Sequence, residues 1–415
     1  MSPVSRVLII GGGIGGLTAA TAFAQRGVEV DVLEIKPDFG IRGVGLGQPA
    51  NALRALRAIG VLDECLAAGF QFDRLRLCDY NGDLVVEHRF RLGGPGLPAM
   101  NALPRIDLHR ILIGAATRAG ATIRLGATVA ATQPEGKQVG VVFSDGPSQR
   151  YDLVVGFDGN GSSTRRWLFG DAYEPEPYGY GAWRVIVDRP PEITTMAFFQ
   201  GLGSKTGVMP LTRDRMYLFH ICPEPVDAWY DPVRFLEFLR ERIAGYGGIV
   251  AEVMARLTRD HEIVYSPLQP LMVPDPWYRG RVLIAGDAAH ACPPHMTQGA
   301  GMAMEDGIVL AECVTTNAPV EAQLREFMDR RYERTAFVQR FSRQMLAAEQ
   351  AIRTEEQLRA ARAEMQTTLS ERLAAADRLM NASVLEADRL AEVATTGPER
   401  RAVAPEPPRP GAGAA

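Results

Sequence analysis

The 415-residue sequence is short of several things at once, and each shortage removes a class of protein. It has five cysteines (Cys65, Cys78, Cys222, Cys292, Cys313), an odd number, scattered and never spaced as Cys-x-x-Cys. A disulfide framework and a zinc ribbon both need paired thiols, so neither is expected, no metal site is expected, and a reducing cytoplasm fits best. There is no run of about 18 apolar residues, the minimum for a membrane-spanning helix. The N-terminus passes from Met1-Ser2-Pro3-Val4-Ser5-Arg6 straight into the apolar run Val7–Ile10, without the longer stretch and cleavage site of a signal peptide. Charge of one sign is also lacking: 45 basic against 49 acidic side chains give a net −4, which suggests neither a nucleic acid nor an anionic membrane as partner. What remains is a chain that is 46% hydrophobic, long enough to bury a large core and to divide into two or three domains.

The opening reads as a βαβ unit. Val7–Ile10 is a short apolar strand, Leu17–Arg26 is helical, and Val28–Glu34 alternates as a second strand. Leu53, Leu56, Ile59, Leu62 and Leu66 have helical spacing over residues 50–68, and Asp107–Ala119 predicts another helix. Residues 72–92 and 178–225 are strand-like, and dinucleotide-domain signals return near 280. After about 320 the composition turns to Ala, Glu, Arg and Leu, with an imperfect stripe through Leu346, Ile352, Leu358, Met365, Leu369 and Leu373. These helices either pack back on the body or form a dimerising pair. The tail from Gly397 to Ala415 is rich in Pro, Ala and Gly and is expected to be disordered.

Between the first strand and helix lies Gly11-Gly12-Gly13-Ile14-Gly15-Gly16, a Gly-x-Gly-x-x-Gly turn through Gly11, Gly13 and Gly16. The first glycine allows the tight turn, the second lets backbone approach a pyrophosphate, and the third lets helix and strand pack closely. The free N–H groups of the following helix then face phosphate charge. Glu34 ends the second strand, where a carboxylate can accept both hydroxyls of an adenosine ribose. This region is a dinucleotide site but does not separate FAD from NAD.

Two later strands also end in acidic turns. Asp152–Phe157 runs into Asp158-Gly159, followed by Ser162 and Arg165, and Arg281–Ala285 runs into Gly286-Asp287. Either alone could be an ordinary strand exit. All three motifs in this order resemble the single-component FAD-dependent aromatic hydroxylases, the group built like 4-hydroxybenzoate hydroxylase, over roughly residues 5–340. The resemblance implies an α/β fold: a Rossmann-like FAD-binding domain (1–75, 101–175 and 271–340), an inserted mixed β-sheet substrate domain (76–100 and 176–270), a C-terminal helical region (341–395) and a tail (396–415). It implies that Gly11, Gly13, Ile14, Gly15 and Gly16 form the ADP turn with Glu34, and that Asp287 with Gly286 binds the ribitol chain. Asp158, Gly159 and Arg165 would serve FAD and NAD(P)H, and Arg42 and Arg110 would lie on the cofactor. Ile35 departs from the pattern, since many relatives have Arg beside the acidic residue. No second Gly-x-Gly-x-x-Gly domain is evident, which disfavours two-dinucleotide-domain flavoproteins.

Pro293-Pro294-His295-Met296-Thr297-Gln298-Gly299-Ala300-Gly301-Met302 follows the Gly-Asp motif and enters a helix. Backbone N–H groups of Gln298, Gly299, Ala300 and Gly301 are expected near the isoalloxazine, where a helix N-terminus stabilises negative charge. Pro294 would fix backbone shape where oxygen adds. The run is similar to that of 6-hydroxynicotinate 3-monooxygenase-like enzymes, which implies a substrate-site role for His295 and for Tyr217 on the strand Arg215–His220. Gln48 and Lys205 are further substrate-binding candidates, Lys205 as partner of a carboxylate or oxyanion. His290 is expected to hold the Gly-Asp turn. The family's chemistry is hydride transfer from NADH or NADPH to FAD, then O₂ addition as a C4a-hydroperoxide attacked by an electron-rich ring, with water excluded. The expected partners are thus a small aromatic or heteroaromatic substrate, O₂ and NAD(P)H, with a homodimer open. Alternatives on the same fold are an epoxidase, a decarboxylating hydroxylase or a reductase, and, outside catalysis, an FAD-dependent redox sensor.

Overall fold

The computed structural model describes residues 4–40 and 44–386. Arg42 and the expected disordered tail lie outside the described residues.

A six-stranded sheet holds the cofactor half, in the order Tyr278–Arg279, Val282–Ile284, Leu153–Gly156, Arg6–Ile10, Glu29–Glu34, Thr122–Leu125. All neighbours are parallel except the edge hairpin formed by Tyr278–Arg279 and Val282–Ile284. Such a sheet is covered on both sides, and its central strand Arg6–Ile10 is accordingly apolar and buried from Val7 onward. Register decides what happens at its carboxyl edge. Ile10 is aligned with Gly156 and Leu33, and Gly156 with Ile284. The residues that follow, Gly11, Phe157-Asp158 and Ala285-Gly286, therefore emerge side by side. Backbone bonds continue the row, from Gly11 N–H to Leu33 (2.7 Å), Phe157 N–H to Ile10 (2.8 Å) and Ala285 N–H to Gly156 (3.0 Å). Three motifs separated by more than a hundred residues of sequence thus share one crevice, where ligands bind in open α/β sheets.

The second half is a seven-stranded sheet: Ile263–Pro267, Tyr180–Asp188, Arg215–Pro223, Lys205–Pro210, Met196–Gln200, Arg74–Asp79, Leu84–Arg89. It is antiparallel apart from the Met196–Gln200/Arg74–Asp79 pair. Strand alternation divides its two faces. Trp183, Val185, Met216 and Leu218 pack against the helices Phe235–Ile243 and Gly248–Arg256. Their neighbours Ala182, Arg184, Tyr217 and Phe219 face the cofactor half. The architecture is the α/β arrangement expected from the resemblance, with a mixed sheet inserted in a Rossmann-like domain and helices at the end.

Two local expectations are corrected. The helix expected over 50–68 is two helices, Ala50–Ala58 and Leu62–Ala68, because Gly60 takes a left-handed φ of +76° between them. The boundary placed at 340 falls inside one helix, Val320–Ala351, since the shift in composition there contains no breaker. That helix packs on the body through Leu324, Phe327, Met328, Val338 and Leu346. A capping box of Thr354 and Gln357 starts the next, Glu355–Asn381. No helix among the described residues is long and apolar enough to cross a membrane.

Candidate active site

The shared crevice opens into a cavity of about 540 Å³ that reaches the inner face of the seven-stranded sheet. Its cofactor end is mostly backbone. Gly11, at φ +106°, has no space for a side chain, because a Cβ would sit 2.3 Å from the Phe157 carbonyl oxygen. At Gly16 a Cβ would lie 2.0 Å from the Gly11 carbonyl oxygen. Both glycines are required by the fold. Gly13 is different: it lines the cavity, and a Cβ there would meet nothing within 4 Å. Its bareness leaves room for a ligand, at the N-terminus of the helix Ile14–Ala24, where Ile14 and Gly15 also line the wall.

Glu34 sits beside this turn, its Oε2 accepting the Gly12 N–H at 3.0 Å. His109, which sequence reasoning passed over, braces the other side through Gly12 O at 2.7 Å. In the run Leu283–His290 only Asp287 is exposed, and its side chain opens into the cavity. His290 meets Asp306 at 2.6 Å and holds the turn, as expected. Pro294 and the helix start Gly299–Ala300 form the facing wall with Thr297, Gln298 and Ala303.

Asp158 and Arg165 do not line the cavity. The Asp158 carboxylate accepts from Ser162 Oγ (2.5 Å), Thr164 N (2.9 Å) and Thr164 Oγ1 (3.0 Å), shaping the turn that presents Gly159. Arg165 is fully buried and donates to the carbonyls of Asn160, Tyr173 and Ala288, tying the Asp-Gly turn to the Gly-Asp helix. The side-chain amide of Gln298 is paired reciprocally with that of Asn51 at 2.9 and 3.1 Å. Gly301 faces Asn51 and Ala52, letting the two helices approach.

Two expected contacts point elsewhere. Arg110 is exposed and paired with Asp107 at 2.9 Å. Arg105, at the start of the same helix, lines the cavity instead. Five residues of α-helix rotate a side chain by about 140°, so the two arginines cannot share a face. Gln48 is buried with its Oε1 accepting from Asn101 at 2.6 Å, while its neighbour Gly47 borders the cavity. Alternation along Gly45–Pro49 turns the Gln48 side chain away from the cavity.

At the sheet end of the cavity, Tyr217 lies buried beside Arg184. Burial pushes the Tyr217 phenol up, and Arg184 and Arg105 pull partly against it. Among the described residues no carboxylate pairs with Arg184, whose guanidinium donates to Ser266 Oγ and Ala182 O. The only hint of Arg184 in the sequence is a charged residue on the strand face opposite Trp183. Lys205 lines the same end but is taken: it forms a buried ion pair with Glu349, which also accepts from His295 Nε2 at 3.0 Å. Glu349 comes from the end of the long helix and was not anticipated. Met196, Phe198, Met209, Phe219 and Ile221 make the remaining wall apolar.

A crevice for a dinucleotide, joined to a mostly apolar pocket with a few polar groups, fits a cofactor-dependent enzyme, and the comparison with known proteins says which. Residues 5–345 match the FAD binding domain family, and the chain belongs to it. Its relatives are FAD-dependent monooxygenases. It is 33% identical over 346 residues to YetM of Bacillus subtilis (strain 168), covering 83% of this chain and 93% of that protein. To the 6-hydroxynicotinate 3-monooxygenase of Pseudomonas fluorescens it is 30% identical over 357 residues, covering 82% and 91%. The crystal structure of Klebsiella pneumoniae HpxO complexed with FAD and uric acid shares its fold, with a TM-score of 0.80 at 24% identity over 91% of this chain and 96% of that one.

Proposed function

We propose that this protein is a single-component monooxygenase that uses NAD(P)H and O₂ to hydroxylate a small aromatic or heteroaromatic substrate. The observation that carries this reading is one continuous cavity from the bare Gly13 backbone and open Asp287 carboxylate to Tyr217, Arg184 and His295. FAD bound there would take a hydride from NADH or NADPH and deliver one atom of O₂ to the ring. A ring C–H becomes C–OH, the second oxygen leaves as water, and the nicotinamide supplies both electrons.

The chain's own residues have separable tasks. Gly13 and Ile14 would present helix N–H groups to the pyrophosphate, Glu34 would receive the adenosine ribose, and Asp287 would receive the ribitol hydroxyls. Gly159, Gly299 and Ala300 give backbone surface on which the flavin ring can lie, with the helix start favouring negative charge there. Pro294 sets the path of the loop above it. The apolar walls at Met196, Phe198 and Phe219 keep water from the reacting centre. Tyr217 and Arg184 orient the substrate. His295 accepts a proton from it, which enriches the ring in electrons. A relative named for 6-hydroxynicotinate and a neighbour holding uric acid support a small nitrogen heterocycle as substrate.

The test is an absorption spectrum of the purified protein followed by NADH and NADPH oxidation with a panel of hydroxylated aromatic and pyridine carboxylates. Flavin bands with strong stimulation by one compound are expected. Flavin bands with oxidation that needs neither substrate nor O₂ would make the protein a reductase instead.

A further inference from the structure

His295 sits in the short 3₁₀ turn Pro294–Met296, with its side chain entirely buried. Its Nε2 is 3.0 Å from Glu349 Oε2, and the other oxygen of Glu349 takes the ammonium of Lys205. Among the described residues its Nδ1 is buried without any hydrogen-bond partner. Three elements meet here: the turn after the Gly-Asp motif, the first residue of the strand Lys205–Pro210, and the last turn of the helix Val320–Ala351. His295 borders both the main cavity and a smaller apolar recess behind it, closed by Phe341, Met345 and Leu373.

The chemistry of the pair settles where the imidazole proton resides. Burial would raise the Glu349 carboxyl, but Lys205 and His295 bring it down to about 2. Glu349 is therefore a carboxylate, which only accepts hydrogen bonds, so Nε2 must carry the proton. Burial lowers the His295 pKa, the Lys205 charge lowers it further, and Glu349 opposes both. The ring is neutral at neutral pH, with its lone pair on Nδ1. A buried acceptor without a donor is costly, on the order of 1–3 kcal/mol, and is what a substrate O–H or N–H would satisfy.

We propose that Glu349, clamped by Lys205, is a positioning residue that holds the His295 proton on Nε2 and leaves Nδ1 as the acceptor for a substrate O–H or N–H. The helix Val320–Ala351 thereby completes the active site. The substrate proton passes to Nδ1, the imidazolium is stabilised by Glu349 for the lifetime of the electron-rich ring, and the Lys205 charge keeps the proton from being retained. The assignment of the substrate proton to His295 rests on the hydroxylase reading; the tautomer and its control do not. The other ionisable groups around the triad are Tyr180 and Tyr246, which both sense Glu349, and Arg353, which acts on Tyr180. Asp377 borders the recess. Tyr217, Arg184, Arg105, Asp287 and Cys292 lie along the main cavity.

The experiment is histidine NMR on the FAD-loaded protein with ¹⁵N/¹³C-labelled histidine. The chain has six histidines, so His295 is assigned by the signal missing in His295→Asn. The expected wild-type result is the Nε2–H tautomer with a titration midpoint below the ordinary histidine value. Glu349→Gln should move that midpoint further down and mix the tautomers. Lys205→Met should move it up, each by about 1 pH unit. Opposite shifts show that both charges of the pair act on the imidazole, and the tautomer and the acid limb of kcat separate a positioning role from a merely structural one. Equal or same-direction shifts overturn the proposal. If a variant does not fold, the wild-type tautomer still decides, because a proton on Nδ1 contradicts it. Substrate-stimulated NAD(P)H oxidation in His295→Asn separately reports the hydroxylase reading. A triad that titrates as described in a protein that hydroxylates nothing would remove the function without removing the tautomer control. If hydroxylation occurs, the acid limb of kcat should follow the same opposite shifts, and an acid limb indifferent to both variants would overturn the role in proton transfer.

Discussion

The carboxylate of Asp306 reaches back 20 residues to accept the backbone N–H of Gly286 at 2.9 Å. The same oxygen meets His290 Nε2 at 2.6 Å, and the other accepts from Arg331 Nε at 2.7 Å. Burial would raise this carboxyl, yet His290 and Arg331 hold it down at about 2. The turn that exposes Asp287 is therefore set from behind by an ionised, fully buried group on the helix Gly299–Val314.

Asp306→Asn should destabilise the protein by about 3–5 kcal/mol, because Arg331 loses one partner of a buried pair. FAD content should fall with it, although Asp306 does not line the cavity. Thermal melting and the flavin-to-protein ratio check this; an unchanged Tm would contradict it.

Asp287→Ala should behave oppositely. This side chain is exposed in the cavity, so the Tm of FAD-free protein should stay within about 1 °C of wild type, as for an ordinary surface substitution. FAD retained after dialysis should drop. Full occupancy would remove the ribitol assignment.

The glycine turn separates the same way. Gly16→Ala places a Cβ where the Gly11 carbonyl oxygen lies and should prevent folding. Gly13→Ala adds a Cβ that meets nothing within 4 Å, so the fold should persist while FAD affinity falls. Normal FAD binding by folded Gly13→Ala would show that no phosphate approaches there.

Acid should destabilise the protein in two steps. Burial pushes His220 down to about 4 from an ordinary 6.5, and His295 and His109 are lowered in the same direction. Between about 4 and 6.5 the unfolded chain binds protons that folded His220 does not, so stability falls as pH drops through that window. The contribution is on the order of 3 kcal/mol for His220 alone. Glu349, lowered from 4.5 to about 2, loses its contribution below that window. Tm should be level above pH 7 and decline from about 6.5 downward; a level Tm to pH 4.5 would contradict this.

What the sequence revealed follows from how locally each feature is encoded. Gly11, Gly13, Gly16 and Asp287 are readable because backbone turns at strand ends demand glycine and leave one acidic side chain open. Lys205, Tyr217 and His295 line the cavity, Lys205 with its ammonium already paired to Glu349. Arg110 and Gln48 were misplaced by a phase error, one of helical rotation and one of strand alternation. Asp158 and Arg165 are in the right motif but spend their polar atoms on the turn itself. Glu349 and Arg184 carried almost no local signal. Glu349 lies 54 residues from His295 and 144 from Lys205, in a stretch that reads as one more polar helix position.

The most direct test of the central claim is turnover under ¹⁸O₂ with the compound that most stimulates NAD(P)H oxidation, the product being read by mass spectrometry. The account predicts one ¹⁸O atom per hydroxylated product, with the remaining labelled oxygen in water. NAD(P)H consumed with no labelled product, all O₂ returning as H₂O₂ whatever the compound, would contradict it.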